Sequence, residues 1–195
     1  MLRSLLYEVR IWPAVWRHRL SLYWQVGEKG HLAFIAMLAV PFVVLGLIIQ
    51  FAYTDQLRKD AARQRARDLR CLAENIYFEA RSESLKGQYA VAEVTMNRLA
   101  SPLFPDTLCD VVYDTRWDRL RRRLTAHFSW TQLKITAEPK GAAWNQAMQV
   151  AATVYDKKHT PVVPDALFYH ATYVNPYWAS SKRKIVKIGN HIFYR

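Results

Sequence analysis

An uncharged hydrophobic run from Leu32 to Tyr53 is the strongest feature in the distribution of hydrophobic and polar residues. Its length of about 22 residues matches the roughly 20 residues that a helix needs to cross a bilayer. Pro41 and Gly46 inside the run are compatible with a membrane helix. A soluble core helix of this length would carry a polar face, and no small-x-small cleavage pattern follows the run directly. The pattern therefore predicts an uncleaved membrane anchor at residues 32–53, with the lipid bilayer as a partner.

Different compositions on either side of this run predict three further segments. Residues 1–31 mix tryptophans and tyrosines with arginines, which is typical of an amphipathic basic segment at a membrane interface. Residues 54–70 lack Gly and Pro and carry charges of both signs, which predicts a charged helical stalk. Residues 71–195 have the composition of a globular domain.

The hydrophobic spacing within residues 71–195 predicts helices with a small amount of sheet. One apolar helical face is formed by Leu69, Leu72, Ala73, Ile76 and Ala80. The segment from Gly87 to Leu99 is apolar almost all round, which predicts a buried helix, and residues 142–155 repeat large side chains at helical spacing. A short apolar run follows the proline-containing loop at 101–107, and the segment ALFYHATYV suggests an extended strand. The pair Gly189-Asn190 between KIVKI and HIFYR predicts a β-hairpin, so the fold class is α+β and mostly helical.

Charge and cysteine content narrow the possible functions only slightly. The formal net charge is +12, but it is spread along the chain without a focused basic patch, so we expect no nucleic-acid partner. Anionic lipid or cell-wall polymer suits such a charge equally well. Cys71 and Cys109 are the two cysteines, and they form either one disulfide or two buried thiols. Their spacing matches no zinc motif, so we expect neither a metal nor another cofactor.

A carboxylate at the rim of the apolar helical face is the first candidate for chemistry. On a wheel of 100° per residue, Glu79 lies about 20° outside the stripe that runs from Leu72 to Ala80, whereas Glu74 lies on the opposite, solvated side. The serines that follow predict the end of the helix, where the dipole disfavours a negative charge. Partial burial and the dipole both raise a carboxyl pKa, as a general acid requires. The alternative is that Glu79 forms an ion pair with Arg81 or Arg98.

The segment CLAENIYFEARSESLKGQYAVAEVTMNRLASPLFPDTLCDVVY resembles the first part of the SleB-like cell-wall hydrolases. Their pattern is Asn-x-x-x-Glu-Ala-Arg-Gly-Glu, then Gly-Gln-x-Ala-Val-Ala-x-Val-x-x-Asn-Arg, then Phe-Pro. The segments FSWT, FYHATYVNPYW and IGNHIFYR resemble later blocks in the same order, so the resemblance covers residues 70–195. Ser82 replaces the usual Gly, and Ser84 replaces a frequent Pro. Because Ser tolerates positive φ poorly, the first change raises the question of how the turn is formed.

The resemblance implies a lysozyme-like catalytic domain that cleaves the MurNAc–GlcNAc bond of peptidoglycan glycan strands. Glu79 corresponds to the family's proposed catalytic acid and Glu83 to its second acid. No second catalytic carboxylate is recognisable beyond Glu83, which favours a single acid assisted by the substrate and the anhydro product of a lytic transglycosylase. Glu83 and five other residues are expected to bind substrate: Ser129, Thr131, Tyr169, His170 and Tyr173. Both bacterial wall remodelling and phage lysis suit such an enzyme.

The orientation predicted from this activity conflicts with the flanking charges. Three basic residues precede the apolar run closely, whereas six follow it: Arg58, Lys59, Arg63, Arg65, Arg67 and Arg70. The positive-inside rule would therefore place residues 71–195 in the cytoplasm, although long domains are exported despite such a bias. The activity instead requires a single-pass protein of the inner membrane whose catalytic domain faces the periplasm and cell wall.

Two other functions remain open at this point. A metal-dependent N-acetylmuramoyl-L-alanine amidase would use His170, His191 and His159 as zinc ligands, although their spacing matches no strong motif. A non-catalytic, membrane-anchored wall-binding module would use Glu79 only in an ion pair. Analysis of the products separates the first alternative from a glycosidase, and substitution of Glu79 separates the second.

Overall fold

The computed structural model describes residues 19, 21, 28–119, 122–133 and 138–195. The chain divides into two compact units, Met1–Asp60 and Ala61–Arg195. The predicted amphipathic segment at 1–31 lies almost entirely outside the described residues. The second unit begins at Ala61, whereas the sequence placed the globular domain from Cys71 onward.

A single long helix, α1 (Glu28–Ala80), contains the predicted anchor, the predicted stalk and the first predicted helix of the globular domain. Within the first unit, most of the large hydrophobic side chains from Leu32 to Tyr53 are exposed, with Met37 at 75% and Phe42 at 76%. The most apolar 18-residue window has a mean hydropathy of 2.9. By length and composition, this helix is able to cross a membrane.

The second unit contains the end of α1, three more α-helices and two small sheets among the described residues. The helices are α2 (Leu85–Leu99), α3 (Leu108–Tyr113) and α4 (Gly141–Tyr155). The strands are β1 (Thr115–Asp118), β2 (Arg123–Ala126), β3 (Phe168–Ala171), β4 (Lys184–Ile188) and β5 (His191–Tyr194). Short 3-10 helices lie at Ser129–Gln132 and Tyr177–Ser181. The predicted α+β class with mostly helical content is confirmed.

Helix α2 lies between two hydrophobic clusters, which explains why its sequence is apolar almost all round. On one side, Ala92 packs with residues of α1 and α4, including Leu72, Ile76 and Val150. On the other side, Val91 and Val94 pack against the three-stranded sheet and the segment before it, through Phe193 and Val163. Burying both sides removes most of the apolar surface of α2 from water, which stabilises the fold.

The last turns of the predicted stalk belong to the core of the second unit. Leu69 is buried in the cluster with α4, and Tyr155 donates a hydrogen bond to Asp68 over 3.1 Å. Arg65 forms an ion pair with Asp156 at 3.0 Å. These contacts explain why the compact unit begins before Cys71: the stalk is polar in composition but places one side against α4.

The three-stranded antiparallel sheet has the order β3-β5-β4. Its β4–β5 hairpin turns at Gly189-Asn190, where the sequence placed it, and Gly189 has a φ of 54°. The β1–β2 hairpin, which pairs Thr115 with Ala126, was not predicted. Its strands are short and rich in charge, and three of the four residues of β1 are exposed, so they carry no alternating apolar pattern.

Candidate active site

Glu79 is the penultimate residue of α1, at the position that the helical wheel predicted for it. The helix ends at Ala80, and the following turn leads into α2. The Ser84 side chain caps the N-terminus of α2 by accepting a hydrogen bond from Gly87 N at 3.3 Å. The Glu79 side chain is half-buried. Tyr169 of β3 donates its hydroxyl to Glu79 Oε2 over 3.1 Å. The fold therefore brings together a carboxyl group and a phenol that are separated by ninety positions along the chain.

Burial raises the pKa of the Glu79 carboxyl above its ordinary value. The hydrogen bond from Tyr169 and the positive charge of Arg98 oppose this rise without cancelling it. Burial and the neighbouring Glu79 also raise the pKa of Tyr169 well above its ordinary value, so its hydroxyl remains a hydrogen-bond donor. The resulting group is a carboxylic acid that holds its proton to a higher pH than a solvated glutamate.

Neither of the two arginines considered as ion-pair partners of Glu79, Arg81 and Arg98, forms an ion pair with it among the described residues. The Arg81 guanidinium lies 5.0 Å above the Tyr77 ring. Arg98 donates its Nε proton to Leu167 O over 2.8 Å and lies between the rings of Phe104 and Phe128. Arg98 thus acts on Glu79 through its charge.

Glu83 holds the β4–β5 hairpin against the turn after α1. Its carboxylate accepts hydrogen bonds from Asn190 N at 3.2 Å and Asn190 Nδ2 at 3.0 Å, and its side chain is 6% exposed. A Cβ on Gly189 would lie 2.0 Å from Glu83 Oε2, so glycine is required there for space as well as for φ. These contacts correspond to a role in holding the turn, and substrate binding by Glu83 stays a prediction.

The turn after α1 contains Ser82 where the related sequences usually have Gly, and its backbone conformation shows how the turn forms with Ser. Among the described residues, the non-glycine positions with positive φ are Arg122, Lys157 and Asp165. Ser82 is exposed and has a φ that any residue adopts. The turn between α1 and α2 therefore forms without a glycine.

The other predicted substrate-binding residues lie in several environments. Ser129 is exposed, and Thr131 donates its hydroxyl to Phe128 O over 2.9 Å. His170 bonds through Nε2 to the Tyr194 hydroxyl at 2.8 Å and through Nδ1 to Ala171 O at 2.9 Å. Tyr173 is 87% exposed. Of the predicted set, Tyr169 alone has a described contact with Glu79, so binding by the other residues stays a prediction.

Two polar residues of α1 lie in buried or partly buried positions that the sequence analysis did not predict. Asn75, one turn before Glu79, was not singled out; it is fully buried, donates to Thr95 Oγ1 and accepts from Trp130 Nε1, both at 3.0 Å. The sequence feature that could have identified Asn75 was a polar amide side chain next to the apolar stripe of the helix. Glu74 was expected to be solvated, but its side chain is only 15% exposed. It accepts a hydrogen bond from Tyr113 at 2.8 Å, because α3 covers that side of α1.

The histidines proposed as zinc ligands are engaged separately. His159 bonds to Glu93 at 2.8 Å, His170 bonds to Tyr194, and His191 packs edge-on against the Tyr169 ring. Within the described part of the chain, no three His, Cys, Asp or Glu side chains are grouped as a metal site would require. The arrangement offers nothing that favours the amidase alternative.

Replacing Tyr169 by Phe should shift the pH dependence of any reaction that uses Glu79 as an acid. An acid is active while protonated, so the rate falls as the pH rises through its pKa. The Tyr169 hydrogen bond lowers this pKa, and its removal should raise the pKa and move the alkaline limb to higher pH. Rates measured across the pH range on the variant and the native chain test this. An alkaline limb that moves to lower pH would contradict it.

Comparison with known proteins relates this chain to proteins of the bacterial cell wall. The profile of the Cell Wall Hydrolase family matches residues 82–194, a segment that includes Glu83 and Tyr169 and begins after Glu79. The spore cortex-lytic enzyme of Bacillus subtilis (strain 168) is 33% identical over 128 residues, which are 65% of this chain and 37% of that protein. The spore cortex-lytic enzyme of Oceanobacillus iheyensis is 33% identical over 127 residues, which are 65% of this chain and 41% of that protein. The chain thus spans less than half the length of these relatives.

Among solved structures, the catalytic domain of the germination-specific lytic transglycosylase SleB from Bacillus anthracis is similar to this chain. The sequence identity is 28% and the TM-score is 0.48, with 66% of this chain and 93% of that chain covered. The catalytic domain of the Bacillus cereus SleB protein gives the same identity and TM-score.

Proposed function

Because the chain belongs to the cell wall hydrolase family, we propose that it cleaves the MurNAc–GlcNAc glycosidic bond of peptidoglycan with Glu79 as the single general acid and base. The observation that carries this proposal is the half-buried Glu79 carboxyl at the end of α1. It bonds to a Tyr169 hydroxyl, and burial raises its pKa. A carboxylic acid whose pKa is raised by burial holds its proton to a higher pH, as a group that protonates a departing sugar oxygen requires.

In the proposed reaction, Glu79 gives its proton to the glycosidic oxygen as the bond between that oxygen and the anomeric carbon breaks. The N-acetyl group of the substrate assists from the opposite face, as in substrate-assisted glycosidases. The Glu79 carboxylate then accepts the proton of the sugar's own 6-hydroxyl while that oxygen bonds to the anomeric carbon. The product is an anhydro sugar, and Glu79 regains its proton.

The neighbours of Glu79 suit both steps. The Tyr169 hydroxyl donates to the carboxyl oxygen, and the buried Arg98 places a positive charge near it. Both interactions are stronger with the carboxylate than with the neutral acid, so they stabilise the charge that forms when Glu79 gives up its proton. Burial favours the protonated starting state, and these two groups favour its release.

We further propose that α1 anchors the enzyme in the inner membrane and that the catalytic domain faces the periplasm and cell wall. The exposed apolar surface of residues 32–53 supports the anchor. A disulfide between Cys71 and Cys109 supports export, because disulfides persist in oxidising compartments. A substrate outside the membrane also requires this orientation, in spite of the basic residues that follow the apolar run.

The proposed reaction is tested by the products that the full chain releases from purified peptidoglycan in detergent. Mass spectrometry should find muropeptides that end in anhydro-muramic acid, and EDTA should leave the rate unchanged. Reducing-end sugars would indicate a hydrolase. Free stem peptides, or activity lost with EDTA and restored by zinc, would replace the proposal with an amidase.

The proposed orientation predicts that protease added to intact spheroplasts digests the catalytic domain. The expected result is loss of the full-length band while a cytoplasmic control protein stays intact. A domain that becomes sensitive only after the membrane is opened would place it in the cytoplasm, as the flanking charges alone favour.

A further inference from the structure

The segment that follows β2 is fixed to α1 by a buried hydrogen bond. Trp130, in the 3-10 helix Ser129–Gln132, donates its Nε1 proton to Asn75 Oδ1 over 3.0 Å, and Asn75 is fully buried. The Asn75 amide is oriented in turn by its bond from Nδ2 to Thr95 Oγ1, which is also 3.0 Å long. The Trp130 ring stacks on the Phe78 ring, with the ring centres 4.6 Å apart. Movement of Trp130 would leave a buried amide oxygen without a partner, which is costly, so its position is closely defined.

Phe128, two residues before Trp130, contacts both groups that act on the Glu79 carboxyl. The buried Phe128 ring has its centre 4.8 Å from the guanidinium carbon of Arg98 and 6.3 Å from the centre of the Tyr169 ring. Arg98 supplies the positive charge near Glu79, and Tyr169 donates the hydrogen bond to it. One short segment therefore connects the buried bond on α1 to the surroundings of the acid.

The position of Arg98 depends on Phe128, because few other contacts fix its guanidinium group. Arg98 donates its Nε proton to Leu167 O over 2.8 Å, whereas its buried Nη1 has no hydrogen-bond partner among the described residues. Phe104 and Phe128 are the two rings that the guanidinium contacts. A cavity of about 310 Å³ borders both Arg98 and Tyr169, so one side of each is not covered by protein. Loss of the packing against Phe128 would therefore allow both groups to move relative to the acid.

We infer that Asn75, Trp130 and Phe128 are positioning residues for the Glu79 acid. Asn75 and Trp130 fix the segment to α1, and Phe128 holds the guanidinium and the phenol beside the carboxyl. This inference rests on the proposed function, in which both groups stabilise the carboxylate that forms when Glu79 gives up its proton. Small displacements matter for such a reaction, because a misplacement of about 1 Å can lower a rate by about 10²-fold.

Tyr169 and Arg98 are the titratable groups that act on Glu79 itself. The charged and titratable residues next to those two are Asp114, Arg116, His127 and His191. Burial lowers the pKa of both histidines, that of His127 to about 4, so both are uncharged at pH 7. Asp114 and Arg116 act on the pKa of Arg98 in opposite directions, and at a pKa of about 10 this arginine keeps its charge. The pH at which Glu79 deprotonates therefore reports how closely Tyr169 and Arg98 are held to it.

The first measurement follows the deprotonation of Glu79 in the folded chain and does not use the reaction. The difference in unfolding free energy between the native chain and Glu79→Gln is measured in urea and detergent across the pH range. The contribution of Glu79 is lost as the pH rises through its folded pKa, because burial raises this pKa above that of the unfolded chain. Both chains are then measured again with Trp130→Phe, which removes the indole N–H but keeps a ring that can stack on Phe78. The loss should move to higher pH, because displaced Tyr169 and Arg98 lower the pKa of Glu79 less.

Two further variants separate positioning from a general loss of stability. Tyr155→Phe is the matched control, since it also removes one hydrogen bond from an aromatic side chain to α1, at Asp68. It should lower stability and leave the deprotonation of Glu79 at its native pH. Asn75→Leu should shift the deprotonation in the same direction as Trp130→Phe, and the two together should shift it no further than one alone, because both break the same bond.

Cleavage of peptidoglycan by the same chains is measured in parallel. Trp130→Phe should lower kcat by about 10-fold with little change in KM, because positioning of the acid acts on the transition state. A deprotonation of Glu79 that stays at its native pH in Trp130→Phe or moves to lower pH, an equal shift in Tyr155→Phe, or additive shifts in the double variant would overturn the inference. If Glu79→Gln keeps native turnover while the deprotonation shifts as expected, the proposed reaction fails and the positioning stands.

Discussion

Replacing Glu79 by Gln should lower the rate of peptidoglycan cleavage by about 10²–10⁴-fold, the usual contribution of acid–base catalysis. Glutamine keeps the shape of the side chain and can still accept the hydrogen bond from Tyr169, but it has no proton to give to a departing sugar oxygen. The measurement is the initial rate of soluble muropeptide release by the variant and the native chain at equal amounts of folded protein.

The stability of the same variant separates catalysis from an ion-pair role. Burial raises the pKa of Glu79 above that of an unfolded glutamate, so the carboxyl stabilises the fold below its unfolded pKa, and this stabilisation is lost as the pH rises through the folded pKa. At neutral pH, the neutral Gln should therefore leave stability unchanged or increase it. A Glu79→Gln chain with near-normal turnover and lower thermal stability would show that Glu79 is a structural residue.

Two nearby carboxylates provide matched controls for this experiment. Glu83→Gln should weaken the contacts with Asn190 and cost stability, with a smaller effect on the rate than Glu79→Gln. Glu74→Gln removes a charge that accepts from Arg70 and Tyr113, so it should affect stability slightly and leave turnover unchanged. A loss of turnover in Glu74→Gln equal to that in Glu79→Gln would mean that loss of a negative charge on α1, rather than loss of the acid at Glu79, lowers the rate.

The long periodic segments were predictable because their burial follows directly from their spacing. The continuous apolar surface of α2 indicated burial on both sides, and the structure buries it between α1 with α4 and the sheet. Gly189-Asn190 predicted the β4–β5 turn, because the turn needs a positive φ and the close approach of Glu83 leaves no room for a Cβ.

The features that the sequence did not predict depend on contacts between distant segments. The β1–β2 hairpin is built from charged and exposed residues, and it borders the cavity beside Tyr169. The position of Glu79 on the helix was predictable, but its hydrogen-bond partner comes from β3 and could not be found from local spacing. In the same way, Arg98 appeared only as an ion-pair candidate, although it reaches the cavity between two aromatic rings.

Removing the disulfide with Cys71→Ser and Cys109→Ser together should lower the free energy of unfolding by about 3–4 kcal/mol. The bridge joins α1 to α3 with a sequence separation of 38 residues, and the loop-entropy relation gives this magnitude for a loop of that size. Urea unfolding of the full chain in detergent, compared with the native chain, is the measurement. The single variants serve as controls, because each one breaks the bridge and should lose as much stability as the pair.

The rate per folded molecule should not change in the double variant. Cys71 lies eight positions before Glu79 on the same helix, about 12 Å away at 1.5 Å per residue, and it contacts none of the groups that hold the carboxyl. Native chain that reacts with an alkylating reagent at both cysteines without prior reduction would contradict the bridge. It would also remove the argument for an oxidising compartment. The orientation of the domain would then depend on the flanking charges and on the location of the substrate. These two observations favour opposite sides of the membrane.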